Sequence, residues 1–273
     1  MTVQQRDTGT CELLSTLDNG ILTLTLNRPD VSNALSDSLL EALQREVCDA
    51  ESNSDVRCVV VTGAGKAFCA GGDIKNVELA PQGDAEIEAR TQWLRHVHRD
   101  TVGKLFQMPK PTLAVINGPA AGAGLSLALS CDLRVMSNTA FLLTAFATVA
   151  LPGDLGTSYF LTQLLGSAKA RQMMFLPDRI SATEALALGL TNWCCEPDEL
   201  TGEANQIARR LGALPLTALG YMKENLNRGM YTPLDAYLEV EASHQVRCMV
   251  ASDHREGVAA FFEKRAPEFG KHR

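Results

Sequence analysis

The sequence predicts an α/β protein whose body is a coiled superhelix of strand–strand–helix (ββα) units and whose C-terminal part is helical. Short strand patterns, followed by Gly-rich turns and then by helical patterns, predict the α/β class. The strand–strand–helix order recurs at a spacing of about fifty residues, which is typical of a superhelical arrangement. After residue 155 the apolar periodicity is almost entirely helical.

The first unit begins with two strands and a helix. Residues 22–26 alternate leucine with threonine, the pattern of a half-buried strand, and they follow an earlier strand pattern over residues 12–17. Ser38 and Glu41 have the spacing of a capping box and predict the start of a helix. The continuous apolar run at 58–62 is typical of a parallel strand buried on both faces.

The second unit repeats this order. A polar helical stretch near 91–106 precedes a strand at 112–116, a Gly-rich turn and a helix at 123–130. Residues 133–136 and 140–143 have the composition of further strands.

The C-terminal part is predicted to be helical. Ser181 and Glu184 form a second capping-box pattern. The later helices are expected around residues 199–212, 216–227, 234–250 and 254–263. These patterns divide the chain into a body over residues 1–205 and a helical region over residues 206–273, which is expected to pack on the body or on a neighbouring subunit.

Composition excludes several classes of protein. The 273 residues include 25 Lys and Arg against 32 Asp and Glu, for a net charge of −7, and 45% of residues are hydrophobic. These values are typical of a globular protein and disfavour a non-specific nucleic-acid binder, which needs a basic face. The uncharged stretches 111–131 and 135–153 are interrupted by polar residues, Gly and Pro, so a buried core is expected rather than a membrane span. The first ten residues lack the pattern of a secretory signal, and a cytoplasmic protein is expected.

Cysteine spacing and glycine spacing exclude common cofactor sites. The eight cysteines include no Cys-x-x-Cys pair, so neither a zinc site nor a thioredoxin-type site is expected. The Gly-rich turns match neither the P-loop nor the dinucleotide-binding fingerprint. We expect no metal and no bound cofactor.

Two Gly-rich turns are the strongest candidates for a functional site. They cover residues 63–73 and 117–124, each between a strand and a helix or turn. Small residues allow a ligand to approach the backbone, and free N–H groups at a helix start favour developing negative charge. Two such groups directed at one carbonyl oxygen would form an oxyanion hole, whereas either turn alone is better explained as a tight turn with close packing.

Several motifs flank these turns. They are Asn27-Arg28-Pro29, Asn33-Ala34-Leu35, Phe68-Cys69-Ala70-Gly71-Gly72-Asp73, Asn117-Gly118, Asp178-Arg179-Ile180-Ser181-Ala182-Thr183-Glu184-Ala185 and Ala260-Phe261-Phe262-Glu263-Lys264-Arg265. Together they cover residues 12–270 and resemble the crotonase (enoyl-CoA hydratase/isomerase) superfamily. The resemblance implies a crotonase-like ββα spiral, an acyl-CoA thioester substrate that brings its own coenzyme A, and a homotrimer or dimer of trimers. It also implies that residues 206–273 are an oligomerisation region.

The resemblance also implies individual roles. The backbone N–H groups of Gly72 and Ala123 would form the oxyanion hole that holds the thioester oxygen. The residues implied in coenzyme A binding are Arg28, Lys66, Ala70, Phe261 and Lys264. The substrate pocket is expected to include Ser126, Phe141, Ala145 and Phe146.

The sequence departs from the hydratases of this family at two positions. Those enzymes use two glutamates, and the matching positions here are Ser126 and Ala145. Neither side chain can replace a general acid–base pair near neutral pH. Simple hydration is therefore in doubt.

Asp154 is the one carboxylate in the expected neighbourhood. It can be the N-cap of the following helix, since it immediately precedes Leu155. It also resembles the single catalytic carboxylate of the 3-enoyl-CoA to 2-enoyl-CoA isomerases and the nucleophilic aspartate of the 4-chlorobenzoyl-CoA dehalogenases. Among weaker candidates, His96 and His98 are interpreted as solvated or packed residues on a polar helix, and Asp73 as a residue that steadies the oxyanion turn.

The leading hypothesis is an acyl-CoA enzyme that stabilises a thioester enolate and shifts a double bond, with Asp154 as proton shuttle. One carboxylate suffices for such a shift, since the proton removed from one carbon can return to another. Three alternatives stay open. They are hydration with another acid–base pair, hydrolysis or dehalogenation with Asp154 as nucleophile, and acyl-CoA binding without catalysis.

Overall fold

A central β-sheet organises the body of the chain. The computed structural model describes residues 3–74 and 81–270, and among these the main sheet has seven strands in the order β1-β2-β3-β4-β5-β7-β10. Its strands are β1 (Gln4–Arg6), β2 (Leu13–Asp18), β3 (Ile21–Leu26), β4 (Cys58–Gly63), β5 (Thr112–Ile116), β7 (Leu133–Ser137) and β10 (Trp193–Cys195). A second sheet has the order β6-β8-β9 and contains β6 (Ala120–Ala121), β8 (Phe141–Leu143) and β9 (Ile180–Ser181).

Ten α-helices surround the sheets in the described part of the chain. They are α1 (Asp37–Ser52), α2 (Asp84–His98), α3 (Lys104–Gln107), α4 (Ala123–Ser130), α5 (Thr157–Phe175), α6 (Ala182–Ala187), α7 (Leu200–Gly212), α8 (Leu216–Gly229), α9 (Leu234–Met249) and α10 (Ser252–Glu263). A π-helical turn over Arg99–Gly103 joins α2 to α3.

The middle of the main sheet is buried on both faces. Strand β4 pairs in parallel with β3 and with β5, and its first four residues are fully or almost fully buried. Val59 and Val61 face the larger core that includes α1 and α4, whereas Cys58 and Val60 face α7. Two-sided burial explains the continuous apolar run and confirms the expectation of a parallel central strand.

The two predicted helix caps differ in outcome. Ser181 is the N-cap of α6 and accepts a hydrogen bond from the Glu184 N–H at 3.2 Å, as predicted. The cap predicted at Ser38 is wrong. Helix α1 starts earlier, with Ser36 in extended conformation accepting from the Leu39 N–H at 3.1 Å, because two serines compete for the same helix start.

The C-terminal half contains strands as well as helices. Strand β10 pairs in parallel with β7, with Trp193 opposite Val135, so the expectation of an almost purely helical chain after residue 155 is wrong there. This strand depends on a partner that is distant in sequence, which local periodicity does not reveal. The boundary predicted between residues 205 and 206 falls inside α7, which packs on the main sheet.

The predicted α/β body with a helical C-terminal region is confirmed. Across residues 3–74 and 81–270, no helix combines the length and the apolar character that crossing a membrane would require.

Candidate active site

The two Gly-rich turns meet at a cavity of about 420 Å³. The residues that line it among those described are Val31, Ser32, Ala34, Ala70, Gly71, Gly72, Asp73, Ile74, Gly122, Ala123, Ala145, Phe146, Val149, Leu151 and Asp154. The cavity therefore brings together both predicted oxyanion donors and the predicted catalytic carboxylate.

Glycine is required where the two turns touch. A Cβ atom on Gly118 would lie 2.0 Å from the Lys66 carbonyl oxygen, and one on Gly124 would lie 2.4 Å from the Cys69 carbonyl oxygen. Real Cβ atoms do not approach backbone oxygens so closely, so any larger residue would push the turns apart. Strand-like pairing of Cys69 with Ala120 completes this contact, with the Ala121 N–H donating to the Cys69 carbonyl at 2.8 Å.

The geometry supports an oxyanion hole at Gly72 and Ala123. Gly72 is held by pairing with Leu35, and Ala123 is the first residue of α4. Neither N–H donates to a protein acceptor within the described residues. Two free N–H groups in one cavity, one of them at a helix N-terminus, can hold a developing negative charge.

Asp154 lies in the loop that precedes α5 and lines the same cavity. Its carboxylate is about one-third exposed, and Oδ1 accepts the Leu155 N–H at 2.8 Å. The N-cap position of α5 belongs to Gly156, so the interpretation of Asp154 as that helix's N-cap is wrong. Oδ2 accepts no hydrogen bond from any described residue, which leaves it available to a ligand in the cavity.

His98 lies next to Asp154, a contact that the sequence analysis did not predict. Its buried Nε2 lies 2.8 Å from Asp154 Oδ1, but the two atoms do not form a hydrogen bond. Both atoms otherwise present lone pairs, so the contact is attractive only when one of them carries a proton. His96, in contrast, is exposed, with Nδ1 2.8 Å from the Gln92 carbonyl oxygen, as the sequence interpretation expected.

A π-helical turn positions His98. This turn begins at Arg99, directly after His98, and is anchored on α1 by a hydrogen bond from Gln44 to Asp100 at 3.1 Å. Buried Thr101 donates its hydroxyl to the Val97 carbonyl oxygen within the same segment. Such turns often occur at functional sites, and a polar helical pattern in the sequence does not predict their extra residue.

The predicted pocket residues divide into two groups. Ala145 and Phe146 line the cavity. Ser126 is fully buried behind the cavity wall and Phe141 lies outside the lining, where the Arg179 guanidinium stacks 4.5 Å from its ring centre. The Ser126 hydroxyl instead contacts the Asp154 carbonyl oxygen at 2.9 Å.

Arg28 supports the oxyanion turn. Its guanidinium lies 2.9 Å from Asp73 Oδ2 and 3.1 Å from Glu12 Oε1, and it also donates to the Ala34 carbonyl oxygen. Because Asp73 follows Gly72 directly, this cluster ties the turn to the segment before α1. The expectation that Asp73 steadies the turn is consistent with this geometry.

The other residues implied in coenzyme A binding lie at different places on the surface. Ala70 lines the cavity, and Lys66 is exposed on the same turn. Phe261 and Lys264 are exposed at the end of α10 and do not line the cavity. Phe261 instead borders a separate apolar cavity of about 380 Å³ between α8, α10 and the C-terminal segment.

Cys69 lies beside the site, but its thiol is unreactive. Complete burial raises the pKa of its thiol to about 12, since burial disfavours the charged thiolate. The thiol therefore stays protonated near neutral pH and is a poor nucleophile.

The fold and this site agree with a family match over most of the chain. Residues 16–272 match the model of the family described as "Enoyl-CoA hydratase/isomerase". The chain belongs to the enoyl-CoA hydratase/isomerase family. The crotonase-superfamily resemblance of the sequence motifs is therefore confirmed.

Relatives in the enoyl-CoA hydratase/isomerase family carry different activities in their names. The chain is 34% identical to 1,2-epoxyphenylacetyl-CoA isomerase of Escherichia coli (strain K12), covering 94% of this chain and 97% of that one. It is 30% identical to 4-chlorobenzoyl coenzyme A dehalogenase-1 of Arthrobacter sp, covering 86% and 83%. The structure of an enoyl-CoA hydratase from Polaromonas sp. JS666 superimposes with a TM-score of 0.87 at 35% identity, covering 94% and 99%. The chain is therefore an acyl-CoA enzyme of this family.

Proposed function

We propose that this protein isomerises an enoyl-CoA by shifting its double bond, with Asp154 as the proton shuttle. The observation that carries the proposal is the position of the Asp154 carboxylate in the same cavity as two backbone N–H groups without a protein acceptor, those of Gly72 and Ala123. Two N–H groups and one movable proton are the groups that this reaction needs.

The chemistry follows from these groups. The thioester oxygen of a 3-enoyl-CoA accepts hydrogen bonds from Gly72 and Ala123, and Asp154 Oδ2 removes a proton from C2. The resulting dienolate carries its negative charge on the thioester oxygen, where each donor supplies about 3–4 kcal/mol of stabilisation. Asp154 then returns the proton to C4, which leaves the double bond between C2 and C3.

The surroundings of Asp154 suit a shuttle. The Leu155 N–H and His98 both contact Oδ1, so rotation of the carboxylate is restricted and Oδ2 is directed away from these contacts. Val149 and Leu151 line the opening of the cavity. Their apolar side chains are partly exposed, and a bound acyl chain would cover them.

Hydration has less support in the described site. The position that matches the first hydratase glutamate is Ser126, whose hydroxyl faces backbone oxygens and another hydroxyl outside the cavity. The position that matches the second is Ala145, which carries no titratable group. Hydration would therefore need another acid or base as the partner of Asp154.

The contact between His98 and Asp154 favours one further candidate function. If Asp154 attacked an electrophilic carbon of the acyl group, the resulting ester would lie beside His98, a base that could assist its hydrolysis once the ester opens access to Nε2. The dehalogenase among the relatives is named for a substitution reaction on a CoA ester. This second function predicts a covalent intermediate on Asp154, which isomerisation does not form.

Mass spectrometry in heavy water tests the proposal. A panel of 2-enoyl- and 3-enoyl-CoA esters is incubated with the protein, chromatography separates the double-bond isomers, which have equal mass, and the masses of the esters and of the intact protein are measured. We expect a shifted double bond and no added water, with deuterium uptake to the extent that the Asp154 carboxyl exchanges its proton with solvent before returning it. Addition of water would favour hydration, and an acyl mass on Asp154 would favour substitution. Tight binding with neither a double-bond shift nor deuterium uptake in any ester would favour a binding protein.

We also propose a homotrimer or a dimer of trimers in which coenzyme A contacts cross a subunit boundary. Many apolar side chains of the C-terminal helical region are exposed in the single chain: Met222, Leu226, Tyr231, Leu234, Leu238, Val246, Met249, Val250, Phe261 and Phe262. Such a surface is unusually apolar for a monomer. Phe261 and Lys264 lie outside the cavity of their own chain, which supports contacts with a neighbour's ligand.

Light scattering and kinetics test this assembly. We expect a solution mass three or six times that of one chain, and we expect Phe261→Ala to raise KM for a CoA ester while kcat is unchanged. A monomer with unchanged KM in this variant would contradict the proposal.

A further inference from the structure

Two buried hydroxyl groups join the oxyanion helix to the loop that carries Asp154. Ser126 lies one turn after Ala123 on α4, and Thr157 is the first residue of α5. Both side chains are almost completely buried, at 0% and 1% exposure, and neither lines the cavity. Their oxygen atoms are in direct hydrogen-bond contact.

The Ser126 and Thr157 hydroxyl groups can donate a hydrogen bond to the Asp154 carbonyl oxygen. The Asp154 carbonyl oxygen lies 2.9 Å from Ser126 Oγ and 2.7 Å from Thr157 Oγ1, and it also accepts the Thr157 N–H at 3.0 Å. Each hydroxyl has one proton to donate. If one hydroxyl donates to the other, the second still has its own proton for the Asp154 carbonyl. The Ser126 hydroxyl also lies 3.3 Å from the Gly122 carbonyl oxygen, but the Asp154 carbonyl is the nearer acceptor, so a hydroxyl proton is available to it in either arrangement.

The Asp154 loop needs such an anchor. Ala150 and Leu155 have φ angles of +57° and +47°, a left-handed conformation that costs a non-glycine residue roughly 1–2 kcal/mol. Gly153 and Gly156 also have positive φ. Because so many of its residues lie outside helix and strand conformations, the loop forms few regular backbone hydrogen bonds of its own. Contacts from outside the loop must hold it in place.

We propose that Ser126 and Thr157 are positioning residues that set the distance between the Ala123 N–H and the Asp154 carboxylate. The inference rests on the proposed proton-shuttle function of Asp154. Where the hydratases of this family use a glutamate, this chain uses a serine to hold the catalytic loop. Small displacements of a catalytic group lower rates strongly, so loss of this link affects kcat more than substrate binding.

The experiment compares Thr157→Val with Thr157→Ser. Valine keeps the shape and removes the hydroxyl, whereas serine keeps the hydroxyl. We expect Thr157→Val to lower kcat by about 10- to 100-fold with KM unchanged, and Thr157→Ser to restore most of the loss. Ser126→Ala should lower kcat similarly, and the double variant should lose little more than either single variant.

Thr191→Val is the matched control. Thr191 is also buried, with its hydroxyl 3.1 Å from the carbonyl oxygens of Arg134 and Trp193, but it lies away from the cavity. This variant should lose stability without losing kcat. Equal kcat losses in Thr157→Val and Thr191→Val, or full kcat in Thr157→Val, would overturn the inference.

Hydrogen exchange separates this inference from the proposed function. Backbone amides of residues 150–157 should exchange faster in Thr157→Val than in wild type, at the wild-type rate in Thr191→Val, and close to it in Thr157→Ser. Unchanged exchange in Thr157→Val would show that the hydroxyl pair does not anchor the loop. Absence of both a double-bond shift and deuterium uptake in every ester with the wild-type enzyme would overturn the proposed function, and the catalytic part of this inference with it.

Discussion

Asp154→Asn is expected to abolish double-bond isomerisation while CoA-ester binding survives. The amide has the size of the carboxylate and its oxygen can still accept the Leu155 N–H, but it cannot take up a proton from carbon. Loss of a positioned general base lowers rates by about 10²–10⁴-fold. The other carboxylate among the described lining residues is Asp73, which is paired with Arg28 and therefore cannot replace Asp154 as the base. Deuterium uptake and kcat measure the effect, and titration with a saturated acyl-CoA measures binding.

Asp198→Asn is the matched control for this prediction. Asp198 is an exposed residue before α7, outside the lining of the cavity, and its replacement should leave kcat and binding unchanged. Wild-type deuterium uptake in Asp154→Asn would contradict the assignment of the shuttle. Loss of binding together with turnover would instead indicate that the variant disturbs the cavity.

Gly124→Ala is expected to damage both stability and the oxyanion hole. The new methyl group would lie 2.4 Å from the Cys69 carbonyl oxygen and 2.6 Å from its Cβ, and Cys69 is fully buried. Because the close neighbour includes backbone, α4 must shift, and the Ala123 N–H shifts with it. Overpacking of this kind costs about 1–3 kcal/mol of unfolding free energy, and kcat should fall further than stability alone explains. Urea unfolding and steady-state kinetics measure the two effects.

Two other glycines control for this substitution. Gly202 lies inside α7, where a Cβ meets no atom within 4 Å, so Gly202→Ala should stabilise the protein by about 0.5–1 kcal/mol. Gly72 belongs to the oxyanion turn, but a Cβ there also meets open space, so Gly72→Ala should fold with wild-type stability. Wild-type stability in Gly124→Ala would show that the two turns are packed less tightly than the structure indicates.

Together these predictions examine the two halves of the site separately. Asp154→Asn removes the proton acceptor and leaves the oxyanion donors, whereas Gly124→Ala displaces a donor and leaves the carboxylate. An enolate mechanism needs both, so each variant should lose turnover. A protein that only binds acyl-CoA would respond to the second change alone, through its binding affinity.

Local patterns in the sequence determined much of the fold. The strand at 22–26, the apolar strand at 58–62 and the helix at 123–130 were predictable, because alternation, apolar runs and Gly-rich turns reflect local geometry. Both Gly-rich turns and Asp154 were predictable as parts of one site, since the motifs that flank them are specific. The family followed from these motifs together and is confirmed by the match over residues 16–272.

Only the tertiary structure decided how the side chains around Asp154 are used. His98 reaches Asp154 through a π-helical turn, Ser126 reaches Thr157 from another helix, and Arg28 reaches Asp73 across the oxyanion turn. Strand β10 depends in the same way on its pairing with β7. In each case the partners are distant in sequence, and their contact depends on the packing of separate elements. Periodicity and capping signals record only local backbone preferences, so the sequence by itself determined the elements and the family, while packing decided which residues meet Asp154.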